Sequence, residues 1–177
     1  MLSTTQIATI KAEISQLEEQ LRVALNPHTM TPTEEKIYSQ AKLHLGQHLT
    51  LNNAVPAEVG CCEACSYILR AAGVVVPPGG IAGTPALYEW FVANPEFQKI
   101  DEPEQGAIVI FVTGEGNGLV EGHVLIFGEF GIAYPGDWGL MSNESSTGNL
   151  EEQWCWQKAL AYYQGVGGLV PQIFRAL

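Results

Sequence analysis

Apolar residues recur along residues 4–25 at Ile7, Ile10, Ile14, Leu17, Leu21 and Ala24, in alternating steps of three and four. That spacing predicts a helix with one apolar seam, of the kind used in coiled coils and helical hairpins. Glu13, Glu18, Glu19 and Arg22 lie off the seam. Three heptads are marginal as an isolated helix. The seam therefore packs either on its own domain or on a partner, as an oligomerisation or attachment helix. Asn26 to Pro32 carries two prolines and turn formers and reads as a linker. A second helix is expected over residues 34–46, capped by Thr33 and ended by Gly46, and a polar loop with Pro56 follows it. A third runs over about residues 62–72 and stops at Gly73. A fourth is capped by Thr84, turns Leu87, Trp90, Phe91 and Val92 to one side, and ends at Asn94-Pro95.

After residue 95 the period changes. Ala107 to Val112 is an unbroken apolar run, Thr113 to Gly118 a Gly-rich turn, and His123 to Gly128 a second strand. Gly131 to Tyr134 and Leu140 to Asn143 predict two more strands. Residues 150–163 read as a helix carrying Leu150, Trp154, Trp156, Leu160 and Tyr163, and Gly167 to Phe174 as a last strand. Helices first and an antiparallel meander second make an α+β domain rather than a βαβ alternation. The expected organisation is an N-terminal helix and linker over residues 1–30 and one domain over residues 31–177.

Composition narrows the function classes. The 177 residues hold 8 Lys and Arg against 19 Asp and Glu, a net charge of −11. Nucleic acids and anionic membranes reward basic surfaces, so neither is expected as a partner. The N-terminus lacks a basic segment followed by a long apolar core, so no signal peptide is expected. No run approaches the ~18 apolar residues of a membrane span. The expectation is a chain made in the cytoplasm.

Of four cysteines, Cys61, Cys62 and Cys65 share one helical turn and Cys155 stands apart. Adjacent thiols make a poor disulfide framework and point to a reduced compartment or a reactive site. The lone Cys62-x-x-Cys65 has no second pair or HxxxH to complete a zinc site. Gly114 to Gly118 lacks the Lys and helix of a phosphate cradle and reads as a hairpin turn. No Asp-rich calcium loop is present. Neither metal nor cofactor is expected.

Cys61 at a helix start feels the positive end of the macrodipole, which favours its thiolate. His123 at the start of an apolar strand is a candidate base, and Gly122 before it leaves room for a second group to approach. Asn143, emerging from the next part of the meander, supplies an oxygen that can fix the imidazole tautomer. Glu144 is the alternative for that role. His28, His44 and His48 precede the site and are expected to be structural, as are Cys65 and Cys155.

These elements in this order resemble the papain-like peptidoglycan hydrolases, the NlpC/P60 and CHAP peptidases. The resemblance rests on Gly60-Cys61, Gly122-His123-Val124 and Ser142-Asn143. It extends to Gln105-Gly106-Ala107, where many members have Pro-Gly-Asp. Tyr38 to Gly46, Tyr162-Tyr163 and Gly167-Gly168 are similar to phage-associated members, so the likeness covers residues 35–177. Members run twelve residues from the nucleophile to an Ala-Gly helix end, which implies Cys61 as nucleophile with Cys62, rotated about 100° into the helix, as the alternative. The resemblance implies a papain-like fold and a Cys61–His123–Asn143 triad cleaving an amide of a peptidoglycan stem peptide through a thioester. It also implies action on the cell wall after release, or from a virion, with residues 4–25 available for self-association or a virion partner. Tyr88, Trp90, Tyr134 and Trp138 are candidates to wall the cleft, and Trp138, in a Pro-Gly-Asp-Trp loop, is the expected substrate contact. Two other classes fit the same residues: a non-catalytic wall-binding or virion structural module, and a thiol-dependent acyltransferase or deamidase.

Overall fold

The computed structural model describes residues 29–51, 55, 56 and 59–177, and before them residues 3, 5–7, 9–11, 13, 14, 17 and 21. Helices α1 (Pro32–Leu43), α2 (Cys61–Ala71) and α3 (Thr84–Ala93) precede strands β1 (Phe97–Ile100), β2 (Ile108–Phe111), β3 (His123–Phe130), β4 (Trp138–Asn143) and β5 (Leu150–Cys155). A short helix α4 (Trp156–Ala159) runs on as a wider π-helical turn over Leu160–Val166, and β6 (Pro171–Ala176) closes the chain. The six strands form one open antiparallel sheet in the order β1-β6-β2-β3-β4-β5. The fold is therefore α+β. Only β2 to β5 form a meander, because the C-terminal strand is inserted between β1 and β2.

Each helix starts where backbone chemistry allows. At α1 the cap is Thr31, not Thr33. Its hydroxyl accepts from Glu34 N at 3.1 Å, and Glu34 Oε2 accepts from Thr31 N at 2.8 Å. This reciprocal box fixes the start and puts Pro32 at the first helical position, where a missing N–H costs nothing. Helix α2 ends as expected: Gly73 takes φ +93°, its N–H bonds to Arg70 O, and Val74 N–H reaches back to Leu69 O. Helix α3 is capped by Gly83, while Thr84 spends its hydroxyl elsewhere.

The sheet carries a core on each face. Ile108, Ile110, Val124, Ile126, Met141 and Phe174 face α1, α2 and α3, with Ile37, Ile68, Leu69, Leu87 and Phe91 opposite. Val109, Phe111, Leu125, Phe127, Leu140 and Ile173 face α4 and the turn after it, with Ala159, Tyr163 and Leu169. Covering both faces explains why β2 is apolar at every position instead of alternating.

Two expected elements are corrected, and one strand is added. Residues 131–134 are a turn, not a strand: Gly131 and Gly136 adopt φ +76° and +75°, and Gly131 N–H bonds to Asp137 O. The first part of the helix expected over residues 150–163 is instead strand β5, up to Cys155, and helix begins only at Trp156. Leu150, Glu151, Trp154 and Cys155 pair with β4, and Glu152 lies over Gly128 and Gly139 to reach Lys42 at 3.3 Å. Sheet pairing and burial override the helical propensity of Leu-Glu-Glu-Gln. Strand β1, which the pattern did not predict, is held by β6.

The described residues among 5–21 are helical, and Ser3 and Gln6 bond reciprocally at their start. Ile7, Ile10, Ile14, Leu17 and Leu21 are between 40 and 63% exposed, so the seam is uncovered. Ala24, Arg22, Glu18, Glu19 and Asn26 to His28 of the linker lie outside the described residues. No helix among the described residues is long and apolar enough to cross a membrane.

Candidate active site

The N-terminus of α2 opens onto a cleft of about 830 Å³. Gly60 precedes the helix and has no side chain to cap it. The first-turn N–H groups of a helix have no acceptor within it, so the amides of Cys61 and Cys62 are aimed at the cleft end. Cys61 is partly exposed there, and Cys62 and Cys65 are buried behind it. The cleft is lined by Cys61, Cys62, His123, Asn143 and Glu144, with Thr84, Thr113 and Val120 on one side and Trp154, Tyr162 and Tyr163 on another. Of the described residues lining it, none is Lys or Arg, while Glu121 and Glu144 make it acidic.

The structure brings Cys61, His123 and Asn143 into this one cleft. The Cys61 thiol is held well below the usual thiol range. The largest cause is a hydrogen bond from Cys62, whose sulfur lies 3.9 Å away. Burial opposes it, and the side chain of His123 and the backbone N–H of Val124 then add to the depression. Cys65, by contrast, is pushed up by burial and by Cys61, and Cys155 is pushed up by burial first and by Asp137. The four thiols are thus chemically unequal, with the ionisable one at the cleft mouth.

His123 is placed by two devices. Its ring lies parallel to Tyr163, with centroids 5.7 Å apart and planes 15° apart. Tyr163 stacks in turn on Phe111 of β2 at 4.6 Å. Behind His123, Thr113 accepts from Gly122 N at 2.9 Å and contacts Thr84 Oγ1 at 2.9 Å, while Thr84 Oγ1 accepts from Thr113 N at 2.8 Å. A methyl group on Gly122 would fall 2.3 Å from Phe111 O and 2.4 Å from Thr113 N. Gly122 is therefore required by the backbone beside it, rather than to admit a group toward His123.

Asn143 is the last residue of β4, buried to 4% exposure. Its neighbour Ser142 donates to Val124 O at 2.6 Å, which ties the end of β4 to the start of β3 beside His123. Glu144 lies in the same cleft, but its Oε1 accepts from Ser146 N at 3.3 Å and from the hydroxyls of Ser145 and Ser146. That carboxylate is engaged by its own turn.

Trp138 does not line the cleft. It is buried against Phe127 and Phe130 on the α4 side of the sheet, because β4 begins at this residue rather than after it. Tyr88 and Trp90 pack on Phe174, Phe91 and Phe97, and Tyr134 donates to Glu152 O. The aromatic wall is instead Trp154, Tyr162 and Tyr163, with Lys158 Nζ 4.4 Å above the Trp154 ring. These residues were hidden by the misplaced helix: as strand and π-helical turn they converge, as one straight helix they would not. His44 and His48 contact the backbone oxygens of Gln40 and Gly148 at 2.8 and 2.7 Å and lie outside the cleft lining. His28 lies outside the described residues. The loop with Gly114, Gly116 and Gly118 joins β2 to β3 and is stitched to the end of the π-helical turn by Asn117, which donates to Val166 O at 2.7 Å. Among the described residues no three or more His, Cys, Asp and Glu side chains are grouped to hold a metal ion.

This arrangement can ionise a thiol, pass a proton through an imidazole and present backbone amides to a developing oxyanion. Compared with family models, curated proteins and solved structures, the chain matches none.

Proposed function

We propose that the chain is a papain-like cysteine hydrolase that cleaves an amide bond of peptidoglycan. The observation carrying this reading is the meeting of a depressed thiol, an imidazole and a buried Asn side chain in one cleft at a helix N-terminus. The choice of peptidoglycan rests on the sequence resemblance over residues 35–177. The acidic cleft and the net charge of −11 agree with a substrate that is not a polyanion.

In this mechanism Cys61 Sγ attacks the amide carbonyl carbon and forms the carbon–sulfur bond. The oxyanion lies toward the amides at the head of α2, which act without reorganisation. His123 in its protonated form gives that proton to the leaving nitrogen as the carbon–nitrogen bond breaks. Water then attacks the thioester, His123 takes its proton, and Cys61 leaves as thiolate with the acid as product. Asn143 orients His123, and Tyr163 holds the ring plane.

Purified sacculi test this directly. The full chain is expected to lower their turbidity and to release fragments with new amine and carboxylate ends by mass spectrometry. Cys61→Ala is expected to remove that activity entirely while its melting temperature stays close to the parent's, because a small side chain at a cleft mouth contributes little packing. Intact sacculi together with acyl transfer to an added amine would assign the transferase chemistry instead. Intact sacculi without transfer would assign a non-catalytic module.

A further inference from the structure

Two thiols stand at the head of α2, and the mechanism above uses one. Cys62 is 3% exposed and lies between the main cleft and a second cavity of about 230 Å³. Its sulfur is 3.9 Å from that of Cys61, and the backbone N–H of Gly83, the cap of α3, acts on it from the other side. The pair is badly shaped for a disulfide. Neighbouring Cα atoms across a trans peptide are about 3.8 Å apart, below the ~4.4–6.8 Å that a relaxed bridge spans. Closing the sulfurs to bonding distance would unwind the first turn of α2. The pair is well shaped for sharing a proton.

We propose that Cys62 is a positioning residue whose S–H, polarised by Gly83 N–H, donates to Cys61 and holds it as the thiolate independently of His123. This rests on the reading of Cys61 as nucleophile. A thiolate taken out of water needs donors. Val124 N–H and His123 supply some, but His123 gives up its proton during each turnover. Cys62 keeps its own, because its hydrogen bond to Cys61 and its burial push it well above the ordinary thiol range. A donor chain from Gly83 through Cys62 to Cys61 therefore persists through both chemical steps, strengthened by its own polarisation.

The test reads Cys61 without any substrate. The rate of iodoacetamide labelling at Cys61, followed by peptide mapping, is measured against pH in the full chain and in folded Cys62→Ala and Cys62→Ser. Cys62→Ala is expected to raise the midpoint by about one pH unit, less than the full worth of a hydrogen bond to a charge because S–H is a weak donor. Cys62→Ser is expected to recover most of that shift. Cys62→Val, near the thiol in volume and without a donor, answers the question where Cys62→Ala does not fold. The same rise is expected in a His123→Ala background. An unchanged midpoint in Cys62→Ala or Cys62→Val overturns the proposal, and so does a first adduct on Cys62. A parent midpoint in the ordinary thiol range instead removes the reading of Cys61 as nucleophile, a failure distinct from that of Cys62.

Discussion

Gly122→Ala isolates positioning from chemistry, since it changes no group that reacts. The added methyl would sit 2.3 Å from Phe111 O, 2.4 Å from Thr113 N and 2.6 Å from Thr113 Oγ1, where ordinary contact begins at 3.4 Å. Two of the three obstacles are backbone atoms at the end of β2, which cannot rotate aside. The start of β3 must therefore back away by about 1.1 Å, carrying His123 with it. The bond from Gly122 N to Thr113 Oγ1 is stretched by the same movement. Overpacking of this kind costs roughly 1–3 kcal/mol of stability. The effect on rate is larger in proportion, because a displacement of about 1 Å between reacting groups lowers turnover on the order of 100-fold. The expected result is a folded protein, melting a few degrees lower, whose sacculus hydrolysis falls about 100-fold while circular dichroism is unchanged. Turnover within about threefold of the parent in a folded Gly122→Ala would refute the account, because His123 would then not depend on the Phe111–Thr113 backbone for its place.

Other outcomes follow from the same geometry. Asn143→Ala is expected to lower hydrolysis partially and Glu144→Ala to leave it nearly unchanged, since the Glu144 carboxylate serves its own turn; the reverse order in steady-state rates would move the orienting role to Glu144. Cys61 has a folded pKa below its unfolded one, so its thiolate survives as pH falls through the window between them; near pH 6 iodoacetamide is expected to label native Cys61 faster than the same residue in urea, and a slower native rate would contradict the depression. Removal of residues 1–30 spares Thr31 and its capping box and every cleft residue, so the remainder is expected to stay folded and active. Light scattering is expected to find the full chain larger than the truncation by more than the mass removed, because an apolar stripe in water costs roughly 25 cal/mol per Å²; two monomers with an early-melting truncation would make the helix part of the core.

The elements that line the cleft at the head of α2 were legible because their signals are local. A Gly before Cys61 and a Gly after the helix mark both of its ends within fourteen residues, and capping chemistry needs no distant partner. The apolar run Ala107 to Val112 and the Gly-His start of β3 were equally plain, since a strand buried on both faces is written as unbroken apolar sequence. Pairing is what sequence alone did not determine. Leu150 to Cys155 has a helical composition, yet β4 offers it an edge and Gly128 and Gly139 offer Glu152 a groove, so it extends. That choice turned Trp154 toward the cleft and placed Tyr163 over His123, while Trp138 became core. Likewise, β6 acquires a place inside the sheet only because β1 and β2 stand ready on either side. Caps and helix-end charges act within one turn of chain, so the head of α2 and the start of β3 are readable from local residues. The tertiary structure decided what surrounds them, because burial and strand pairing are worth more than local propensity and depend on residues far apart in the chain.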